Sequence, residues 1–261
     1  MKMVKKILLG LIAAAAVISF AGCKQVDDTK HAISGSGNDY SIDFENTESE
    51  KYRAYESTTL NRAGALVKVK FDKEDVGTSK MGVIFGLKDE NGAKEFGIIG
   101  IGTLRDGPNF YVSKFSNVTD IQAENFGAPN GDAEETPIVA LTSGNKYSVP
   151  TAAPDGSVTV YVYFKANING TYDYALLNLT DAQASAIDMD SANPISNYIG
   201  NSVNYLAGGN TATAKFFEAV GNTNDIPQSQ LAVYAMVAPG KTLKGSWKYV
   251  KFYKEAEELE E

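Results

Sequence analysis

The spacing of apolar residues leaves this chain few folds to choose from. Between Ser41 and Tyr253, short runs rich in Val, Ile, Tyr and Phe are broken every few residues by Gly, Asn, Asp or Pro. That is the punctuation of strands joined by tight turns. Strands are expected near Ser41–Glu45, Tyr52–Ser57, Ala65–Phe71, Gly82–Leu87, Phe96–Gly102, Phe110–Phe115, Ile138–Leu141, Val158–Lys165, Tyr172–Leu179, Ala212–Phe217, Leu231–Val237 and Ser246–Tyr253. The runs follow one another too closely for crossover helices, so antiparallel pairing is implied. Only Asp181–Asp190 reads as a helix, with Thr180 or Asp181 placed to cap it.

Alternation along a strand assigns its faces. Val67, Val69 and Phe71 share one side while Lys68 and Lys70 share the other; Val158, Val160, Val162 and Phe164 likewise oppose Thr159, Tyr161, Tyr163 and Lys165. Phe96–Ile101 is apolar on both faces, as a central strand between two layers is. Many half-buried strands with almost no helix predict an all-β fold, a two-sheet antiparallel β-sandwich with one short helix. The stretch SVTVYVYFKANINGTYDYALLNL at 157–179 resembles the long strand, turn and return strand of concanavalin A-like and laminin G-like jelly rolls. The closing LAVYAMVAPGKTLKGSWKYVKFY at 231–253 resembles their final strand pair, where the last strand lies beside the first. The resemblance implies a jelly roll with sugars or proteins as ligands; a fold alone does not assign a function.

The amino terminus has a different character. Lys2, Lys5 and Lys6 precede an apolar run from Ile7 to Phe20 with no acidic residue among them, the layout of a secretory signal. A permanent membrane span needs about 20 apolar residues, and this run closes earlier, on Ala21 and Gly22. Phe20-Ala21-Gly22-Cys23 resembles the lipobox of bacterial lipoproteins, with Phe where most have Leu, a departure found in the looser spirochaetal examples. It implies cleavage before Cys23, the only cysteine, and lipidation of its thiol. More than one acyl chain holds a protein stably on a membrane. Lys24 stands where an aspartate would signal inner-membrane retention, so the outer membrane or cell surface is the expected place.

The expected layout is a leader at 1–22, a lipidated cysteine and polar tether at 23–39, a sandwich at 40–254 and an acidic tail at 255–261. A coil as long as that tether reaches about 20 Å. The leader carries three of the 24 Lys and Arg and none of the 32 Asp and Glu, so the mature chain has 21 − 32 = −11 charges. An acidic surface argues against nucleic acid and against electrostatic capture by anionic lipid. The lipid on Cys23 must then make the membrane contact.

Few constellations are equipped for chemistry. His31, the only histidine, lies in the tether, which removes a Ser-His-Asp relay from the domain. Asp43 and Glu45 alternate on one strand as hydrolase carboxylates do, but Ser41 stands where a third carboxylate is expected. No cofactor is implied. Structural calcium would take oxygen ligands, which Asp188, Asp190 and Asn193, or the loop Asn222–Asp225, could supply. The better lead is aromatic. Tyr161 and Tyr163 share the face opposite the valines, and Tyr172 and Tyr174 on the return strand are expected beside them. Left open, such rings stack on sugars or anchor protein interfaces; the alternative is that a second layer or loop covers them. Three functions follow: a non-catalytic surface lipoprotein binding carbohydrate or a host or envelope protein, a polysaccharide-acting hydrolase, and a structural or antigenic envelope protein.

Overall fold

A computed structural model describes residues 34–46, 51–72, 79–102, 109–119, 121, 134–139, 147–237 and 239–254. The leader, Cys23, the tether up to residue 33 with His31, and the acidic tail lie outside the described residues.

Among the described residues thirteen strands form: β1 Ser34–Ser36, β2 Asp39–Asn46, β3 Lys51–Arg62, β4 Gly64–Asp72, β5 Ser79–Glu90, β6 Ala93–Gly102, β7 Asn109–Val118, β8 Glu134–Val139, β9 Ser157–Ala166, β10 Tyr172–Leu177, β11 Tyr205–Asn210, β12 Ser229–Val237 and β13 Lys241–Tyr253. One helix, α1, spans Asp181–Ser185. A seven-stranded sheet runs β1-β2-β13-β4-β9-β10-β11 and a six-stranded sheet runs β3-β12-β5-β6-β7-β8. Every pairing is antiparallel. The fold is therefore the all-β, two-sheet antiparallel sandwich with one short helix that the alternation implied. The closing strand β13 lies between β2 and β4.

The alternating faces become the two sides of each sheet. Register sets Val67 opposite Val162 and Val69 opposite Val160 and Trp247, and these side chains are buried in one core with Val83, Ile99 and Val233 of the other sheet. Phe85 is the central contact between the layers, with ring centroids 5.4 Å from Phe164, 4.7 Å from Tyr172 and 5.2 Å from Phe216. Strand β6 is buried on both sides, Ile99 and Ile101 in that core and Phe96 and Ile98 in a second cluster on the outer face. The apolar character of both its faces has this cause.

Several boundaries differ from expectation, and three of the differences change the reading. Ser34–Ser36 pair with β2 across a turn at Gly37 (φ 64°), so the polar segment read as tether already belongs to the sheet before Asp39. The strand expected at Ala212–Phe217 is instead β11, just upstream. Thr211 ends the pairing by donating its N–H to the Tyr172 carbonyl at 2.8 Å. Ala214 and Phe216 are buried as a plug against the sandwich end, which is why they looked like strand residues. The helix stops at Ser185 instead of Asp190, and Ile187 and Met189 are buried from irregular backbone.

Candidate functional site

Tyr161 and Tyr163 do share the outer face of the seven-stranded sheet, opposite the valines, but each is only 1 % exposed. The chain from Leu179 to Ile195 folds back over this side and contributes Leu179, Ala184, Ile187, Met189 and Ile195 to the buried core. The Tyr161 hydroxyl donates to the carboxylate of Asp181 in α1. Asp181 also accepts from Lys68 at 2.7 Å; the Lys68 ammonium, then the Tyr161 hydroxyl, hold its carboxyl below the usual range. Burial, then the Asp181 charge, pushes the Tyr161 hydroxyl up.

Tyr172 and Tyr174 point the other way. The β9–β10 register sets Ala175 opposite Tyr163 and Leu177 opposite Tyr161, while Tyr174 faces Phe164 and Tyr172 faces Ala166. Both therefore enter the core between the sheets, where Tyr174 meets Phe110 at 5.9 Å and Tyr172 meets Phe85 and Phe216. The open four-tyrosine platform is thus corrected on two grounds. A covering layer hides one pair, and the one-residue parity of the hairpin turns the other inward.

The covering layer is itself the most unusual surface of the molecule. Its first turn is fixed by a capping box: Thr180 Oγ1 accepts from the Gln183 N–H at 3.2 Å, and Gln183 Oε1 accepts from the Thr180 N–H at 2.8 Å. Overlapping turns follow, with Tyr198 N donating to the Ile195 carbonyl at 2.9 Å and Asn201 N to the Tyr198 carbonyl at 3.1 Å. Asparagines tie the end of this crown to β10. Asn178 Nδ2 donates to the Val203 carbonyl at 3.0 Å, Asn204 Nδ2 to the Asn178 carbonyl at 2.8 Å, and Asn201 Nδ2 to Asn204 Oδ1 at 2.9 Å. On this braced frame Ile199 is 58 % and Val203 67 % exposed.

Residues 191–214 include no Asp, Glu, Lys, Arg or His, although 21 % of the chain is charged. Asn193, Ser196, Asn197, Asn201 and Ser202 are exposed in the same segment as the two aliphatic side chains. Each amide offers both donors and acceptors, which suits a ligand whose hydroxyls do the same. Sequence reasoning centred on aromatics missed this surface; the uncharged stretch between Asp190 and Lys215 was the signal that marked it.

The remaining candidates fall elsewhere. Asp43 is exposed on the outer face of β2, 3.9 Å from Lys244; the side chain of Glu45 lies outside the described residues. Asp188 Oδ1 accepts from the Asp190 N–H at 3.0 Å, and Asn222 Oδ1 accepts from the Asn224 N–H at 2.8 Å while its Nδ2 meets Asp225 at 2.5 Å. Both calcium candidates are thus engaged in local turn contacts. Among the described residues no three His, Cys, Asp or Glu side chains are grouped to hold a metal.

No protein-family model matches the chain, and no curated protein matches it. Among solved structures it is similar to a legume lectin-like domain from Entamoeba histolytica, at 14 % identity over 87 % of this chain and 89 % of that one, with a TM-score of 0.39. It is also similar to the CBM2 module of the evolved Dit protein of Lactobacillus casei BL23 phage J-1, at 6 % identity over 82 % of this chain and 71 % of that one, with a TM-score of 0.34.

Proposed function

We propose that this chain is a lipid-anchored, non-catalytic binding protein of a bacterial envelope, whose crown at 191–214 takes an uncharged saccharide. The observation that carries the reading is an exposed segment without a charged side chain of its own on an otherwise acidic chain. An anionic ligand would lose hydration there with no cation of the segment to meet it, whereas a neutral sugar offers hydroxyls to the amides and C–H faces to Ile199 and Val203. The anchor reading rests on the leader and on Cys23 placed directly after it. The exposed aliphatic pair also favours a second reading, a protein partner, because exposed apolar groups mark contact surfaces when they cluster.

Detergent-purified protein presented to an array of neutral and charged glycans tests the reading. Neutral glycans are expected to be retained, with retention changing less than about twofold between low and high salt because no ion pair is screened. Ile199→Asp and Val203→Asp should each weaken retention by about tenfold or more, the equivalent of about 1.4 kcal/mol. Absence of any glycan binding, or variants that bind like the parent, rejects the saccharide reading; capture of one protein partner that both variants lose would support the second. Mass spectrometry of the native product tests the anchor, which fails if Cys23 carries no lipid.

A further inference from the structure

We infer that the ammonium of Lys165 is a built-in cation that sets the shape of the crown. Lys165 lies on the outer face of β9 and is 7 % exposed, the one charged side chain among the buried described residues. Its Nζ donates to the Met189 carbonyl at 2.8 Å and to the Ser191 carbonyl at 2.6 Å, and stands 4.2 Å from the centroid of the Tyr253 ring. Asp173 is its cross-strand neighbour on β10. Burial pulls the Lys165 ammonium below the usual lysine range, against the charges of Asp190, Asp173 and Asp188, which favour the protonated form.

The Met189 and Ser191 carbonyls accept from the Lys165 ammonium, and the charges of three carboxylates favour a cation there. Here a side chain brings the positive charge, and the turn at 188–191 is fastened to β9 as a result. The location matters because 186–204 contains neither helix nor strand among its described residues, so it is held by turn hydrogen bonds and side-chain ties and not by regular backbone pairing. Ser191, whose carbonyl the lysine holds, opens the uncharged segment. Lys165 is therefore a positioning residue for the crown, and a crown shaped by a covalently attached cation keeps its form whatever the calcium concentration.

Hydrogen exchange on the full chain decides the matter, comparing the parent with Lys165→Met and Lys165→Gln, and the parent with added calcium or a chelator. Either substitution should speed exchange across 186–204 by about tenfold or more while β4 and β12 stay within about twofold, since only local order is lost. Calcium and chelator should leave the parent unchanged. Unaltered protection of 186–204 in both variants overturns the inference, and so does global unfolding of both, which would make the lysine a requirement of the sandwich instead. Chelator-sensitive protection in the parent overturns it as well. Lys165 bears on ligand capture only through the crown reading above, whereas loop order is measured with no ligand present, so the two can fail separately.

Discussion

Gly100→Ala should destabilise the sandwich even though alanine is ordinarily the better strand residue. On the outer face of the six-stranded sheet Tyr234, Gly82, Gly100 and Tyr111 stand in register on four adjacent strands. The tyrosine rings lie over the two glycines, and their hydroxyls are hydrogen-bonded. A Cβ on Gly100 would stand 1.9 Å from Cζ and 2.0 Å from Cε1 of Tyr111. Replacing a strand glycine in open space would gain about 0.5–1 kcal/mol from backbone entropy. Here the ring must swing away, and overpacking costs about 1–3 kcal/mol. Loss of the hydroxyl contact adds about 1 kcal/mol. The net expectation is a loss of about 2–3 kcal/mol, which for a domain of this size lowers the melting temperature by about 5–10 °C.

Urea unfolding with unchanged m-value measures that loss. A double-mutant cycle with Tyr111→Ala isolates its cause, because without the ring the added methyl meets little and Gly100→Ala should cost nothing or stabilise. Equal effects of Gly100→Ala in both backgrounds, within about 0.5 kcal/mol, would refute the ring-over-glycine reasoning. So would a Gly100→Ala protein as stable as the parent.

Two further outcomes follow from burial. Tyr163→Ala removes a ring packed beneath the crown and should cost about 3–5 kcal/mol in denaturant unfolding, with retention of glycan per folded molecule unchanged; altered retention without a stability loss would return Tyr163 to the ligand surface. Burial pushes the Tyr172 hydroxyl up to about 12. The folded protein thus keeps a proton that the unfolded chain releases near pH 10, so this stabilisation is whole below pH 10 and is lost as the pH rises through about 12. An absorbance titration should show Tyr172 ionising together with unfolding, and early reversible ionisation of all tyrosines would contradict it.

Much of the fold was legible because it depends on local rules. Val67, Val69 and Phe71 against Lys68 and Lys70 declared a two-faced strand, and the structure buries the first set and leaves the second in contact with Asp181 and Asp155 at the surface. The turn expected between the long strand and its return at 157–179 includes Gly170, which takes a φ of 86°, where a Cβ would stand 2.0 Å from the Phe217 carbonyl oxygen. Ala212–Phe217 misled because alternation reports burial, and a plug buries alternate residues as a strand does. The candidate site was less legible, since exposure of Tyr161 depended on whether a segment some 20–30 residues later would fold over it.

The amino-acid sequence by itself determined most of the strand content, the in-out parity of β4 and β9, the capped first turn at Thr180 and the acidic, single-cysteine character of the chain, because each follows from residues adjacent or two to four positions apart. Only the tertiary structure decided that Tyr172 and Tyr174 belong to the core, that Tyr161 and Tyr163 lie beneath a crown, and that Lys165 is enclosed by carbonyls from that crown. Those outcomes depend on register and on long-range packing, which come from the free energy of the whole assembled sandwich and not from any one stretch of chain.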